Sequence, residues 1–206
     1  MLEAHDLACQ RGDRRLFRAL AFALAPGQLL RVAGANGAGK TSLLRLLAGL
    51  ALPSAGAVHW RGRPILHQRE AYVRELFYLG HLAALKDDLT PLENLRAEAG
   101  LTGLAVDDAT LQQALADWGL TRAVRLPVRL LSAGQRRRAA LARLALADAA
   151  LWILDEPFNA LDADAVAHLG LQIEQHLAVG GLAVITSHQA LPWAAERVTT
   201  LQLDDA

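Results

Sequence analysis

The sequence predicts an α/β fold: a mixed sheet core around a glycine-rich loop, an antiparallel β portion toward the amino terminus, and a small helical lobe over about residues 90–147. Short apolar segments alternate with longer helical patterns in the second half, the pattern of a mainly parallel sheet covered on both faces. The stretch Gly34-Ala35-Asn36-Gly37-Ala38-Gly39-Lys40-Thr41 stands between a strand and a helix. Arg61-Gly62 lies between two short β segments as a tight hairpin.

Taken in order, residues 15–33 read as a strand, a turn at Ala25-Pro26-Gly27 and a second strand over 29–33. Residues 40–50 continue as a helix that stops near Pro53, where the ladder loses a donor. Val58-His59-Trp60 and Arg63-Pro64-Ile65 form the arms of the hairpin. From about Pro91 the period changes to helical, over 92–98 and 107–118, with breaks at Gly100, Gly103 and Gly119. A helix over about 135–148, a strand over 151–154, a helix over 163–179 and a strand over 182–186 follow, with Gly180-Gly181 parting the last two. No internal repeat or low-complexity segment interrupts this order.

A chain of 206 residues can build one substantial core with an appendage. Its 21 basic and 21 acidic residues cancel, so no global field recruits nucleic acid or an anionic membrane, and no nucleic-acid partner is expected. A single cysteine, Cys9, excludes an internal disulfide and a cysteine metal cluster; it reads as a small buried hydrophobe. The opening Met1-Leu2-Glu3-Ala4-His5-Asp6 has no basic leader and no apolar core after it, so the expected place of work is inside the cell. Apolar residues reach 53%, yet Arg143 and Asp148 interrupt the best candidate for a membrane-crossing run. That surplus fits either docking surfaces or simple Ala and Leu enrichment. The basic run Arg136-Arg137-Arg138 reads as a solvated helix start, a phosphate neighbour or a subunit contact.

The chemistry begins at the glycine-rich loop. Consecutive backbone N–H groups from Gly34, Ala35, Asn36, Gly37, Ala38 and Gly39 can turn around a β-phosphate, while Lys40 reaches the β- and γ-phosphate oxygens. Gly37 and Gly39 offer no side chain to block the approach. Thr41 is placed to put its hydroxyl on Mg2+, and Ser42 is a first-turn residue within reach of phosphate. The 151–154 run reads as an interior strand whose carboxyl end presents Asp155, where open α/β sheets bind ligands and where a carboxylate can hold the metal through its water shell. Glu156 lies one residue beyond, able to take a proton from the water that attacks the γ-phosphorus. Pro157 sets the exit from the strand.

This phosphate loop, the segment Leu131-Ser132-Ala133-Gly134-Gln135, the strand with Asp155 and Glu156, the segment Ala160-Leu161-Asp162 and His188 occur in one order. With that set the sequence resembles the nucleotide-binding subunits of ATP-binding cassette transporters over nearly its whole length. The resemblance implies a phosphate-loop NTPase of the cassette ATPase type over residues 1–206, with ATP and Mg2+ as cofactors. It further implies a head-to-tail homodimer that sandwiches two ATP molecules. Ser132, Gly134 and Gln135 of one copy would then reach nucleotide held by the other, the start of the following helix supplying a positive pole. Asp162 would sit across the dimer contact, and His188 would bridge the γ-phosphate and Glu156.

Two positions depart from the family pattern. Arg11 stands where an aromatic residue normally stacks on adenine, so weak discrimination between ATP and GTP is expected. His81, after Tyr78-Leu79-Gly80, stands where a glutamine normally senses the γ-phosphate and the Mg2+ water. A neutral imidazole can make that water-mediated bond and an imidazolium repels the cation, so activity is expected to fall on acidification partly through His81.

The opening Cys9-x-Arg11-Gly12-x-Arg14-x-Leu16-Phe17, the 34–43 loop, Val58-His59-Trp60, and the Tyr78 to His81 block with Lys86 and Leu89-Thr90 look like the ATPase subunits of bacterial haem exporters used in cytochrome c maturation. That resemblance implies a homodimer on the cytoplasmic face of the inner membrane, held by integral membrane subunits and linked indirectly to a haem chaperone. The remaining histidines, His5, His59, His67, His168 and His176, form no haem motif, so direct haem binding is not expected. Two alternatives compete: an exporter ATPase for another substrate, such as lipoprotein or a small amphiphile, and a soluble regulatory ATPase acting on ribosomes or DNA. The second normally carries paired cassettes, longer insertions or basic tails, which this sequence lacks.

Overall fold

The computed structural model describes residues 1–82, 84–187 and 197–203, which divide into two compact units. The first unit comprises Met1–His81, Ala149–Glu156 and Gln172–Ala206. The second comprises Leu82–Asp148 and Pro157–Leu171. Among the described residues no helix is long and apolar enough to cross a membrane.

In the first unit, β1 (Leu2–Arg11), β2 (Arg14–Leu24), β3 (Leu29–Gly34) and the helix α1 (Lys40–Leu47) are followed by β4 (Ala55–Trp60), β5 (Arg63–Pro64), the short helix α2 (Arg69–Arg74) and β6 (Leu76–Leu79). An antiparallel sheet runs in the order β2-β1-β4-β5. The turn between β4 and β5 places Arg61 at φ 51 and Gly62 at φ 76. Such positive values suit the tight hairpin expected there. Helix α1 is shorter than the sequence period suggested. It buries Leu43, Leu44, Leu46 and Leu47 along one stripe and ends at Leu47, with Gly49 at φ 67 turning the chain before Pro53.

In the second unit, α3 (Pro91–Thr102) is followed by α4 (Asp108–Asp117) and α5 (Ala133–Leu141). Thr90 and Glu93 close a reciprocal capping box on α3, with Pro91 in its first turn. Asp107 caps α4 through the Thr110 N–H at 2.8 Å. Two expected features differ here. Gly100 does not break α3: a single glycine costs about 1 kcal/mol against alanine, and the buried Asn94, Leu95 and Ala99 hold the helix to its αL stop at Gly103. The helix expected over 135–148 ends at Leu141 and gives way to a tighter 3₁₀ segment, Ala142–Leu146. Its buried residues Ala142, Leu144 and Leu146 fall on alternate positions, so no 3.6-period stripe sustains an α-helix.

The chain then supplies β7 (Leu151–Asp155) to the first unit, α6 (Ala163–Ala178), β8 (Leu182–Thr186) and β9 (Val198–Leu203). The second sheet, in the order β6-β7-β8-β3-β9, is parallel throughout. Every residue of β7 and of β8 is buried, as central strands of a sheet covered on both faces must be. Strands β1, β6 and β9 escaped the sequence reading. The first carries bulges that break its alternation, and the other two are edge strands, β6 only four residues long and β9 half exposed. Cys9 is half-buried against the core, and burial raises its thiol pKa.

The Gly180-Gly181 pair has two separate causes. Gly180 ends α6 at φ 89, whereas a Cβ on Gly181 would stand 2.3 Å from the His176 ring. That ring stacks on Trp152 at 4.0 Å between centroids and donates from Nε2 to the Leu182 carbonyl at 3.1 Å. Burial lowers the His176 pKa from 6.5, opposed by its backbone hydrogen bonds. Folded His176 therefore stays neutral where the unfolded chain takes up a proton, and its contribution to stability is full above 6.5 and is lost as pH falls below it. Chemical denaturation at about pH 7.5 and about pH 5.5 tests this. The parent should lose more stability between the two than His176→Phe, and an equal loss in both proteins refutes it.

Candidate active site

All strands of the parallel sheet run the same way, so β3, β7 and β8 deliver their carboxyl ends to one edge although they lie far apart in the chain. Strand β3 ends in the glycine loop. Gly34 has φ 146, and a Cβ there would stand 2.5 Å from the Leu203 carbonyl oxygen, so only glycine lets β9 pair this closely. Ala35, Asn36 and Gly37 form the exposed tip, and Ala38 turns inward to the core. Gly39, at φ 100, begins α1 with no side-chain cap and no acidic residue in the first turn. The N–H groups of that turn are thereby left to an anionic ligand. Ser42 is half-buried on this turn.

Lys40 Nζ donates to the Gly34 and Ala35 carbonyls at 2.8 and 3.0 Å, which fixes its ammonium over the loop. Thr41 Oγ1 donates to Asp155 Oδ2 at 2.8 Å across 114 positions of sequence. Asp155 is only 2% exposed, and its other oxygen accepts from Thr186 Oγ1 at 2.6 Å. Thr186 in turn accepts from the Glu156 N–H at 2.7 Å. Glu156 adopts φ 48, an uncommon conformation for a residue other than glycine. The Thr186 bond thus holds the glutamate backbone in a strained shape directly beside Asp155. Tyr78 of β6 joins this neighbourhood: burial first, then the Asp155 carboxylate, raise its phenol pKa, with Arg45 acting the other way.

A hydroxyl and a carboxylate oxygen held together in this way are hard donors of the type Mg2+ takes alongside phosphate and water oxygens, so Thr41 and Asp155 fit that ion. Among the described residues no group of three or more His, Cys, Asp or Glu side chains could hold a metal by itself. His81 is exposed, two residues past β6, on the side of the sheet to which β7 delivers Asp155. Arg11 is exposed at the end of β1. His188 lies outside the described residues.

The second unit carries the other candidate residues. Ser132 caps α5: its hydroxyl accepts from the Gln135 N–H at 3.1 Å, while the Gln135 side chain accepts from the Ser132 N–H at 2.9 Å. Accepting in this way leaves the Ser132 hydroxyl hydrogen free to donate outward. A Cβ on Gly134 would stand 2.7 Å from the Ala160 carbonyl oxygen, so the first turn of α5 lies directly against the segment that ends at Asp162. Asp162 caps α6 through the Ala165 N–H at 3.0 Å and lies 3.8 Å from Arg138. Of the basic run, Arg137 is buried and donates from Nε to the Pro157 carbonyl at 3.2 Å. The solvated reading of the whole run therefore fails: Arg137 anchors the chain just past Glu156, and Arg138 faces Asp162.

Sequence reasoning missed Thr186, Tyr78 and Arg137. The signal for Thr186 was present, since it is the one polar residue of an otherwise apolar run, Leu182–Thr186. The role of Arg137 had no comparable signal, because only the folded chain brings Pro157 to it.

A parallel sheet ending on a glycine loop, with a buried aspartate bonded to the loop threonine, makes this molecule a phosphate-loop nucleotide-binding ATPase of mixed α/β architecture. The ABC transporter family model matches residues 17–159, and the chain belongs to that family. It is 55% identical to the cytochrome c biogenesis ATP-binding export protein CcmA of Aromatoleum aromaticum over 94% of this chain and 91% of that protein. The CcmA of Methylococcus capsulatus is 54% identical, over 91% of each chain. Among solved structures, a dimeric bacterial ABC transporter cassette superposes with a TM-score of 0.82 at 20% identity, covering 100% of this chain and 96% of that one.

Proposed function

We propose that this chain is the ATP-hydrolysing subunit of a membrane complex that serves haem export or haem-chaperone release in cytochrome c biogenesis. The export proteins named above, similar over nearly their full length, support this reading. The observation that carries the chemistry is Asp155, buried and bonded at once to Thr41 and Thr186, with Glu156 held beside it. In the proposed complex the chain is a homodimer on the cytoplasmic face of the inner membrane, attached through integral membrane subunits.

In this reading the loop N–H groups and Lys40 bind the triphosphate. Thr41 and Asp155 hold Mg2+, which when bound neutralises charge on the phosphate oxygens. Glu156 takes a proton from the attacking water; the water oxygen bonds to the γ-phosphorus, and the bond from that phosphorus to the bridging oxygen breaks to leave ADP and phosphate. The partner subunit's Ser132 and Gly134 donate to the γ-phosphate from the far side, using the positive start of α5. Asp162 faces the same contact, and His81 and His188 complete the γ-phosphate surroundings. ATP then joins the two subunits, and its cleavage loosens them.

The decisive experiment uses the assembled membrane complex, with haem-chaperone release followed in the presence of ATP, a nonhydrolysable analogue, and ATP with the Glu156→Gln subunit. Release with ATP alone is the expected result. Equal release in all three would separate hydrolysis from the biogenesis step.

A further inference from the structure

Around its turn, over residues 11–18, the β1–β2 hairpin bears Arg11, Arg14, Arg15 and Arg18 against one carboxylate, Asp13. In its register Arg11 stands directly across from Arg14. Like charges so placed repel and destabilise the pair unless an anion lies between or beside them. Neither guanidinium has a hydrogen-bond or ion-pair partner among the described residues, and both are exposed.

What distinguishes Arg14 from an ordinary surface cation is its setting. Leu16 and Phe17, two and three residues further along β2, are buried against Gly39, where an added Cβ would stand 3.0 Å from Leu16 Cβ and 3.3 Å from Phe17 Cδ1. This packing presses the start of β2 onto the phosphate loop. Arg14 Nη1 consequently lies 3.8 Å from the position of a Cβ on Gly37, at the exposed tip of the loop. An exposed guanidinium beside a glycine loop whose helix start has no side-chain cap is placed to meet phosphate oxygens, to which it can donate in bidentate fashion.

We propose that Arg14 is a nucleotide-binding residue, whose guanidinium grips the phosphate chain of the nucleotide at the tip of the loop and supplies, with Lys40, a second cation there. The inference rests on the ATPase reading above and adds a specificity determinant to it. Recognition then leans on phosphates more than on the base, in keeping with a guanidinium rather than a ring at Arg11.

Equilibrium binding of ATP, ADP and adenosine to the purified full chain tests this, with Arg14→Ala, Arg14→Lys and Arg18→Ala compared with the parent and circular dichroism verifying the fold. Arg14→Ala is expected to weaken ATP and ADP binding about tenfold and leave adenosine unchanged. Arg14→Lys should recover part of the loss, and Arg18→Ala, exposed further along β2, should bind like the parent. Unchanged ATP affinity in a folded Arg14→Ala protein overturns the inference alone, and so does an equal loss in Arg18→Ala, which would reflect only the general field. A parent that binds no ATP would instead overturn the ATPase reading.

Discussion

Glu156→Gln is expected to bind ATP with close to parental affinity and to lose turnover by about 10²–10⁴-fold, the usual worth of a positioned general base. The substitution keeps the size and hydrogen-bonding outline of the side chain and removes its capacity to accept a proton from water. It also leaves untouched the contacts that fix the backbone there, since the Thr186 bond is to the Glu156 N–H. Binding and hydrolysis therefore separate: nucleotide titration should match the parent while phosphate release falls to background. If cleavage loosens the dimer, the variant mixed with ATP should also elute from a sizing column as a longer-lived dimer. Parental phosphate release from Glu156→Gln would remove Glu156 from the chemistry.

Thr186→Val should destabilise the fold by roughly 2–4 kcal/mol and depress turnover together. Thr186 is fully buried and works in both directions, donating to Asp155 Oδ1 and accepting from the Glu156 N–H. Valine has the same outline and neither capacity, so the buried carboxylate loses a charge-assisted donor and the strained Glu156 backbone loses the acceptor that holds it. Urea unfolding gives the first effect, and turnover at saturating ATP gives the second. Thr186→Ser, which keeps the hydroxyl, should restore most of both. A valine variant as stable and active as the parent would mean that Thr41 alone suffices to place Asp155.

Much of the candidate site was legible because its parts are local. A phosphate loop needs its glycines and lysine at fixed spacing, so Gly34 to Thr41 announces itself; Asp155 and Glu156 do so by ending an apolar run. Ser132 and Gln135 entered only through the resemblance to the cassette family; the reciprocal cap they form is local, three residues apart, but only the structure showed it. Gly181 shows the opposite case. It reads as half of a turn, yet its small size is required by the His176 ring, whose position is set by Trp152 on a neighbouring strand.

Periodicity and spacing within a few residues were enough for the α/β class, the mainly parallel sheet, the Arg61-Gly62 hairpin, the glycine loop and the carboxylates. It took the folded chain to show that Thr41 and Thr186 share Asp155, that Arg137 is buried on the Pro157 carbonyl, that Arg14 lies against the loop tip, and that β1, β6 and β9 complete the sheets. These depend on which strands become neighbours and on how bulges and packing turn each side chain. Such pairings join positions far apart in the chain, and they are settled by the burial of the whole core rather than by any segment of it.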